Sequence, residues 1–128
     1  MKVIRHFEDA IIDGSIELYD YRERLICEVK DNKIQFGRKL VDKEGYRFDL
    51  EAKFTDCIYI NGCYMFFDKK DLVAVINMKK KMFIVLKFKA RCHCCGKLFE
   101  LKDDDLFNVS ALYCNKCYDL VCAYDLED

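Results

Sequence analysis

Proline is absent from all 128 residues, where an average composition would place about six. Glycine is scarce, with five residues in the whole chain. Together these leave no flexible Gly/Ser/Pro linker and no low-complexity tract, and no internal repeat with a period of about 20 to 50 residues is visible. Long hydrophobic runs are lacking as well. None exceeds five residues, a length that Leu72 to Ile76 and Met82 to Leu86 reach, whereas a membrane-spanning helix needs roughly 20. No bilayer span and no membrane partner are expected. An excess of charge of either sign is missing too: 22 basic and 23 acidic residues leave a net charge of -1 and a pI near 6.1. Bulk electrostatics therefore draws the chain neither to nucleic acid nor to anionic lipid.

The first nine residues carry charges every few positions and no apolar stretch, so no secretory signal is expected and the chain reads as cytoplasmic, in a reducing compartment. Catalytic signatures are wanting. There are two histidines, no P-loop, no glycine-rich dinucleotide loop, no Gly-x-Ser-x-Gly and no His-x-Glu beside a Cys-x-x-Cys. The expectation is a protein that is not an enzyme and has no small-molecule substrate.

What is present is ample material for a core: 52% apolar residues, of which aromatics make up 14% of the chain, enough for one domain with an appendage. The apolar period is mostly two. Tyr46, Phe48, Leu50, Ala52 and Phe54 alternate with Arg47, Asp49, Glu51 and Lys53, which predicts a half-buried strand with the charged residues outward. Leu25 to Lys30 and Lys33 to Phe36 flank Asp31-Asn32 and predict a hairpin that sets Val29 across from Ile34 and Cys27 across from Phe36. Asn61-Gly62 predicts another between Ile58 to Ile60 and Cys63 to Phe67, with Ile60 opposite Cys63 and Cys57 on the other face, so that Cys57 and Cys63 are not bonded to each other. Asp71 to Asn77 and Met82 to Lys89 predict a further hairpin around Lys79-Lys80-Lys81. Residues 1 to 24 fit a helix after Ser15 and a strand equally well. The glycines are expected to interrupt or end these segments. The fold class expected is mainly β: an antiparallel sheet or small barrel over residues 1–90, coupled rigidly to a four-cysteine module over residues 91–128.

Nine cysteines without an export signal point to reduced thiols and metal ligation. Cys92 and Cys95 form one Cys-x-x-Cys pair and Cys114 and Cys117 another, with 18 residues between the pairs. Two thiolates two residues apart chelate a cation from one tight knuckle, and two knuckles complete a tetrahedron. Gly96 fits a backbone that must turn its N–H groups toward sulfur. The expected cofactor is one Zn2+ on Cys92, Cys95, Cys114 and Cys117, with iron as the alternative metal. A metal-free cluster of buried structural cysteines explains the spacing less well. With four protein ligands the site is closed and structural. His93 and Cys94 lie inside the knuckle and are expected to point outward. Cys27, Cys57, Cys63 and Cys122 read as small buried hydrophobes.

The stretch from about Lys89 to Tyr124 resembles four-cysteine zinc modules, the zinc ribbon and the GATA-like treble clef. Cys92-His-Cys-Cys95-Gly96-Lys97 suits either. The second pair, Cys114-Asn-Lys-Cys117 followed by Tyr118 and a run of helix formers, favours the treble clef, in which the last two cysteines open a helix. That helix and tail carry Asp119, Asp125, Glu127 and Asp128, where DNA-reading relatives are basic, so the resemblance does not extend to DNA reading by the finger.

From Lys79 to Arg91 stand six basic residues, Lys79, Lys80, Lys81, Lys87, Lys89 and Arg91, and no acidic one. A solvated face guarding an edge strand is the simplest reading; a phosphate track or a contact for an acidic protein are the functional ones, with Lys87, Lys89 and Arg91 on one strand face. Asp103-Asp104-Asp105 and the residues from Asp125 to Asp128 form acidic ends. Tyr59, Tyr64, Phe66 and Phe67 around the Asn-Gly turn suit core more readily than a base-stacking platform. The function expected is a non-catalytic zinc-binding adaptor or regulator that recognises a macromolecular partner, with a protein component of the transcription or translation machinery favoured by analogy. Direct RNA or DNA binding through residues 79–91 is the alternative, and a small iron tetrathiolate redox protein the third.

Overall fold

The computed structural model describes residues 2–40, 45–101 and 111–126. Asp103 to Asp105, the side chains of Cys122 and Asp125, and Glu127 and Asp128, to which the sequence assigned a buried thiol and acidic ends, lie outside the described residues. Among the described residues, twelve strands and one helix follow in chain order: β1 (Val3–His6), β2 (Asp9–Ile12), β3 (Ile16–Tyr19), β4 (Leu25–Lys30), β5 (Lys33–Lys39), β6 (Tyr46–Lys53), β7 (Asp56–Ile60), β8 (Cys63–Asp68), β9 (Asp71–Asn77), β10 (Met82–Val85), β11 (Lys89–Arg91), β12 (Leu98–Phe99) and α1 (Asn115–Leu126). They build two antiparallel sheets. One has the order β1-β10-β9-β8-β7 and the other β12-β11-β6-β5-β4-β3-β2.

The fold is mainly β, as expected. Type I′ chemistry explains two of its hairpins: Asp31 and Asn32 adopt φ of 53° and 60°, Asn61 and Gly62 φ of 51° and 80°, the left-handed conformation that matches the twist of the flanking strands. The registers are those expected, Val29 with Ile34, Cys27 with Phe36 and Ile60 with Cys63. Residues 3–19 are three short strands, β1 to β3, where helix and strand had fitted equally.

Two details depart from expectation. The strand predicted from Met82 to Lys89 stops at Val85; Leu86 to Phe88 cross from the five-stranded to the seven-stranded sheet, and β11 begins at Lys89. Alternation of exposure continues through the crossover, with Leu86 and Phe88 half-buried and Lys87 exposed, although the chain bends at Lys87, so the pattern alone hides the change of partner. The strand expected from Lys33 to Phe36 runs on to Lys39, and Gly37 interrupts its ladder without ending it. This glycine lies within β5 at a register shift between Phe36 and Arg38, where an added Cβ would come within 2.6 Å of the Tyr46 Cβ.

The sheets face each other over one core. Phe36, Ile34 and Leu50 of the larger sheet meet Phe66, Ile76 and Phe83 of the smaller, all nearly inaccessible. Edge-to-face contacts stitch the layers: Phe36 to Phe83 at 6.3 Å, Phe36 to Phe88 at 5.3 Å and Phe54 to Phe66 at 4.8 Å between centroids. Burial of each such ring stabilises the fold by about 2–3 kcal/mol. Ala90 of β11 and Leu112 ahead of α1 belong to the same core, so the cysteine-bearing segment packs on the sandwich directly.

Candidate metal centre

The centre grows from the last hairpin of the seven-stranded sheet. β11 pairs with β6 on one side and with β12 on the other, and the turn between β11 and β12 holds Cys92 to Lys97. Cys92 N–H donates to the Lys97 carbonyl at 2.8 Å and Gly96 N–H to the Cys92 carbonyl at 2.9 Å. Gly96 has φ of 75°, a conformation glycine adopts without steric cost. A hydrogen bond from His93 N–H to the Leu112 carbonyl at 2.8 Å brings the second pair alongside. Cys114 precedes α1 and Cys117 lies in its first turn, where Tyr118 N–H donates to the Cys114 carbonyl at 2.8 Å. The second pair thus opens a helix and not a second hairpin.

The four sulfurs of Cys92, Cys95, Cys114 and Cys117 all lie within 4.8 Å of one another. Cys95 and Cys114 Sγ are 3.8 Å apart. For a metal–sulfur bond of about 2.3 Å, the edge of a regular tetrahedron is about 3.8 Å, while a disulfide would need about 2.05 Å. None of the four forms a disulfide. Cys92 and Cys117 are buried and Cys95 is exposed, so the cation would sit against the protein with one ligand toward solvent.

Ionisation within the cluster is uneven. Burial opposes ionisation of Cys92, but the peptide N–H groups of Cys95, Cys114 and Cys94 and the Cys95 thiol outweigh it and bring its pKa down to about 6. Hydrogen bonding with the Cys114 thiol, then burial, then the Cys95, Cys92 and Cys94 thiols push Cys117 up. Four acidic groups at one point release the first proton readily and hold the last against mutual repulsion. A divalent cation removes that repulsion and takes all four as thiolates. The arrangement can hold one tetrahedral metal ion and leaves no ligand position open.

Around the cluster, arginines brace the knuckle. Arg91 donates to the Gly96 carbonyl at 2.6 Å and to Glu51 Oε2 at 2.5 Å, and Arg47 contacts the His93 ring, which stacks edge-on against Tyr113 at 5.9 Å. His93 and Cys94 are exposed, as expected. These arginines stand on the outer face of β6 and β11 with Asp49 and Glu51. Expected outward, both carboxylates are on that face and yet buried, 8% and 4% exposed, because Arg38 and Arg47 cover Asp49 and Lys33 and Arg91 cover Glu51. Burial pushes the Asp49 carboxyl up against the pull of Arg38 and Arg47.

The six basic residues of 79–91 are not brought together. Lys79 and Lys80 donate their backbone N–H groups to Asn77 Oδ1 at 3.1 Å and 3.0 Å, in the turn after the last residue of β9. Lys87 pairs with Asp71, the first residue of β9, at 3.1 Å. Seven residues of strand separate these sites by roughly 20 Å. Lys89 and Arg91 belong to the other sheet, and Arg91 is engaged by Glu51 and Gly96. Cys27 is buried as expected, but Cys57 is exposed, because β7 is an open edge. Among the aromatics, Phe66 is core, Tyr64 and Phe67 are half-buried and Tyr59 is 57% exposed, its ring 4.5 Å from that of Tyr64. Glu51 and Arg47 were not foreseen at this centre. Their signal is three-dimensional, the pairing of β6 with β11.

No helix among the described residues is long and apolar enough to cross a membrane. Comparisons of the chain with known protein families, with curated proteins and with solved structures found no match.

Proposed function

We propose that this protein is a non-catalytic recognition module of a reducing, intracellular compartment, in which a zinc ion locks a treble-clef-like finger onto a β-sandwich. Finger and sheet then offer one rigid surface to a protein component of a larger assembly, of the transcription or translation type by analogy. The observation that carries the reading is the convergence of the Cys92, Cys95, Cys114 and Cys117 sulfurs within 4.8 Å. A full set of four thiolates satisfies zinc and leaves no position for a substrate or an activated water. The helix opened by the second pair supports the treble clef over the ribbon. Separation of Lys79 to Lys81 from Lys87 weighs against a continuous phosphate track, and hence against the nucleic-acid reading.

Elemental analysis of the purified chain tests the metal: one zinc per chain and no visible absorbance are expected, whereas a coloured, iron-containing protein would replace this reading with the redox one. Affinity capture from native cells, with and without nuclease, tests the partner. Retention of the same protein after nuclease treatment is expected, and a partner lost with the nucleic acid would overturn the protein-recognition reading.

A further inference from the structure

Two sheets leave four open edges among the described strands; two of them are protected, and a third, β2, carries acidic residues at both ends. β12 is two residues long. β1 carries Arg5, whose guanidinium is tied to the Gly37 carbonyl and lies 5.0 Å over the Tyr46 ring. β2 runs from Asp9 into Asp13, so an antiparallel copy centred on Ile11 would set carboxylate against carboxylate. The fourth edge, β7, carries one charge, Asp56 at its start, and otherwise lacks the usual guards. Asp56-Cys-Ile-Tyr-Ile60 contains no lysine, arginine or proline, its ladder with β8 has no register shift, and all five residues are exposed, Ile58 by 45%, Tyr59 by 57% and Ile60 by 54%.

The ladder also determines which backbone groups are free. A two-residue turn makes Ile60 and Cys63 exchange both hydrogen bonds, and alternation then aims Ile58 at β8. The N–H and C=O groups of Cys57 and Tyr59 point to the open edge. An antiparallel copy centred on Ile58 sets Cys57 of each chain opposite Tyr59 of the other, so those free groups pair with one another, four hydrogen bonds about a two-fold axis. Charge agrees with this register. Asp56 is placed across from Ile60 of the other copy, next to the Asn61-Gly62 turn over which the Lys79 side chain lies, its carbons 3.0–3.3 Å from where a Gly62 Cβ would be. On the outer face, Ile4, Ile84, Val75, Met65 and Ile58 are consecutive cross-strand partners, an apolar row that ends at the edge on Ile58. The second Ile58 continues it.

We propose that two copies of this chain pair through β7, antiparallel about Ile58, to form a continuous ten-stranded sheet. The inference goes beyond the recognition reading and does not depend on the metal.

Sedimentation of the full-length metal-loaded chain tests it, with a dimer of twice 15.2 kDa expected. Ile58→Lys puts two ammonium groups on the axis and is expected to abolish the dimer. Tyr59→Pro removes only an N–H that faces the open edge and is expected to do the same with the far-UV spectrum retained. A wild-type chain that stays monomeric at about 100 µM, or a dimer that survives both substitutions, overturns the proposal. Should either variant fail to fold, hydrogen exchange on the wild type decides: the Cys57 and Tyr59 amides are expected to be protected in a concentration-dependent manner, and fast exchange of both at every concentration overturns it.

Discussion

Glu51 is 4% exposed, yet it draws on two cations of unequal quality, Arg91 at 2.5 Å and Lys33 at 3.6 Å, and its Oε1 accepts no hydrogen bond. Arg91 is therefore the partner that matters, and it also donates to Gly96 in the knuckle. Losing one member of a buried pair costs about 3–5 kcal/mol; Arg91 is 44% exposed, and water screening reduces this to about 1–2 kcal/mol. Arg91→Ala is expected to lower the urea-unfolding free energy by that amount and to weaken metal affinity about 10- to 100-fold in competition with a chelator. Adding Glu51→Gln should recover part of the stability, since the stranded charge is gone. Asp20 is held by more donors. Burial opposes its ionisation, but the Arg22 and Arg24 N–H groups and Arg24 Nε, each at 2.9 Å, hold its carboxyl below the ordinary range. Because its folded pKa is the lower one, its contribution is complete above about pH 4 and disappears as pH falls through the folded value. Asp20→Asn is expected to flatten the acid limb of stability against pH without altering the slope at neutrality. Of this charge network the sequence showed only which face Asp49 and Glu51 occupy, since alternation encodes side and not depth.

Among elements, the hairpins were legible because Asp31-Asn32 and Asn61-Gly62 store the turn geometry locally. Residues 3–19 were not, because four-residue strands have too few positions to separate a period of two from one of 3.6, and their pairing depends on distant partners such as β10. The Cys92 and Cys95 knuckle was legible from ligand spacing, and α1 from the helix formers after Cys117 and the treble-clef resemblance, since the spacing of Cys114 and Cys117 suits a second hairpin equally well. The ligand positions also predict how they fail. A 12-residue helix is marginal in isolation, and α1 has neither an acidic first turn nor a basic last turn to complement its dipole. Its order therefore rests on Cys114 and Cys117 being held. Chelation is expected to release amide protection in residues 92–99 and in α1 and to reduce the helical far-UV signal, while Val73, Ile76 and Phe83 in the sandwich core stay protected. Cys114→Ser should reproduce the chelated state at any metal concentration. Simultaneous loss of core protection would show instead that the metal holds the whole molecule together.

For the whole molecule the question is what its distribution of charge can recognise. Six basic residues confined to 13 positions read as one strip in sequence, but strand geometry puts Lys79 to Lys81 and Lys87 at opposite ends of β9 and Arg91 in a structural ion pair with Glu51. A contiguous strip neutralising six phosphates of a duplex would make the logarithm of affinity fall with the logarithm of salt at a slope of about -5. With Lys87 paired to Asp71, Arg91 to Glu51 and 23 acidic residues elsewhere in the chain, fewer than six of these cations are left to neutralise phosphate. Bare RNA and DNA are therefore expected to remain unshifted in gels at low ionic strength, and joint replacement of Lys79, Lys80 and Lys81 by Ala should leave capture of a protein partner from native cells intact. A steep salt slope that the Lys87 and Lys89 substitutions flatten would mean that the cations act in concert, and the surface offered by finger and sheet would then be one that reads phosphate.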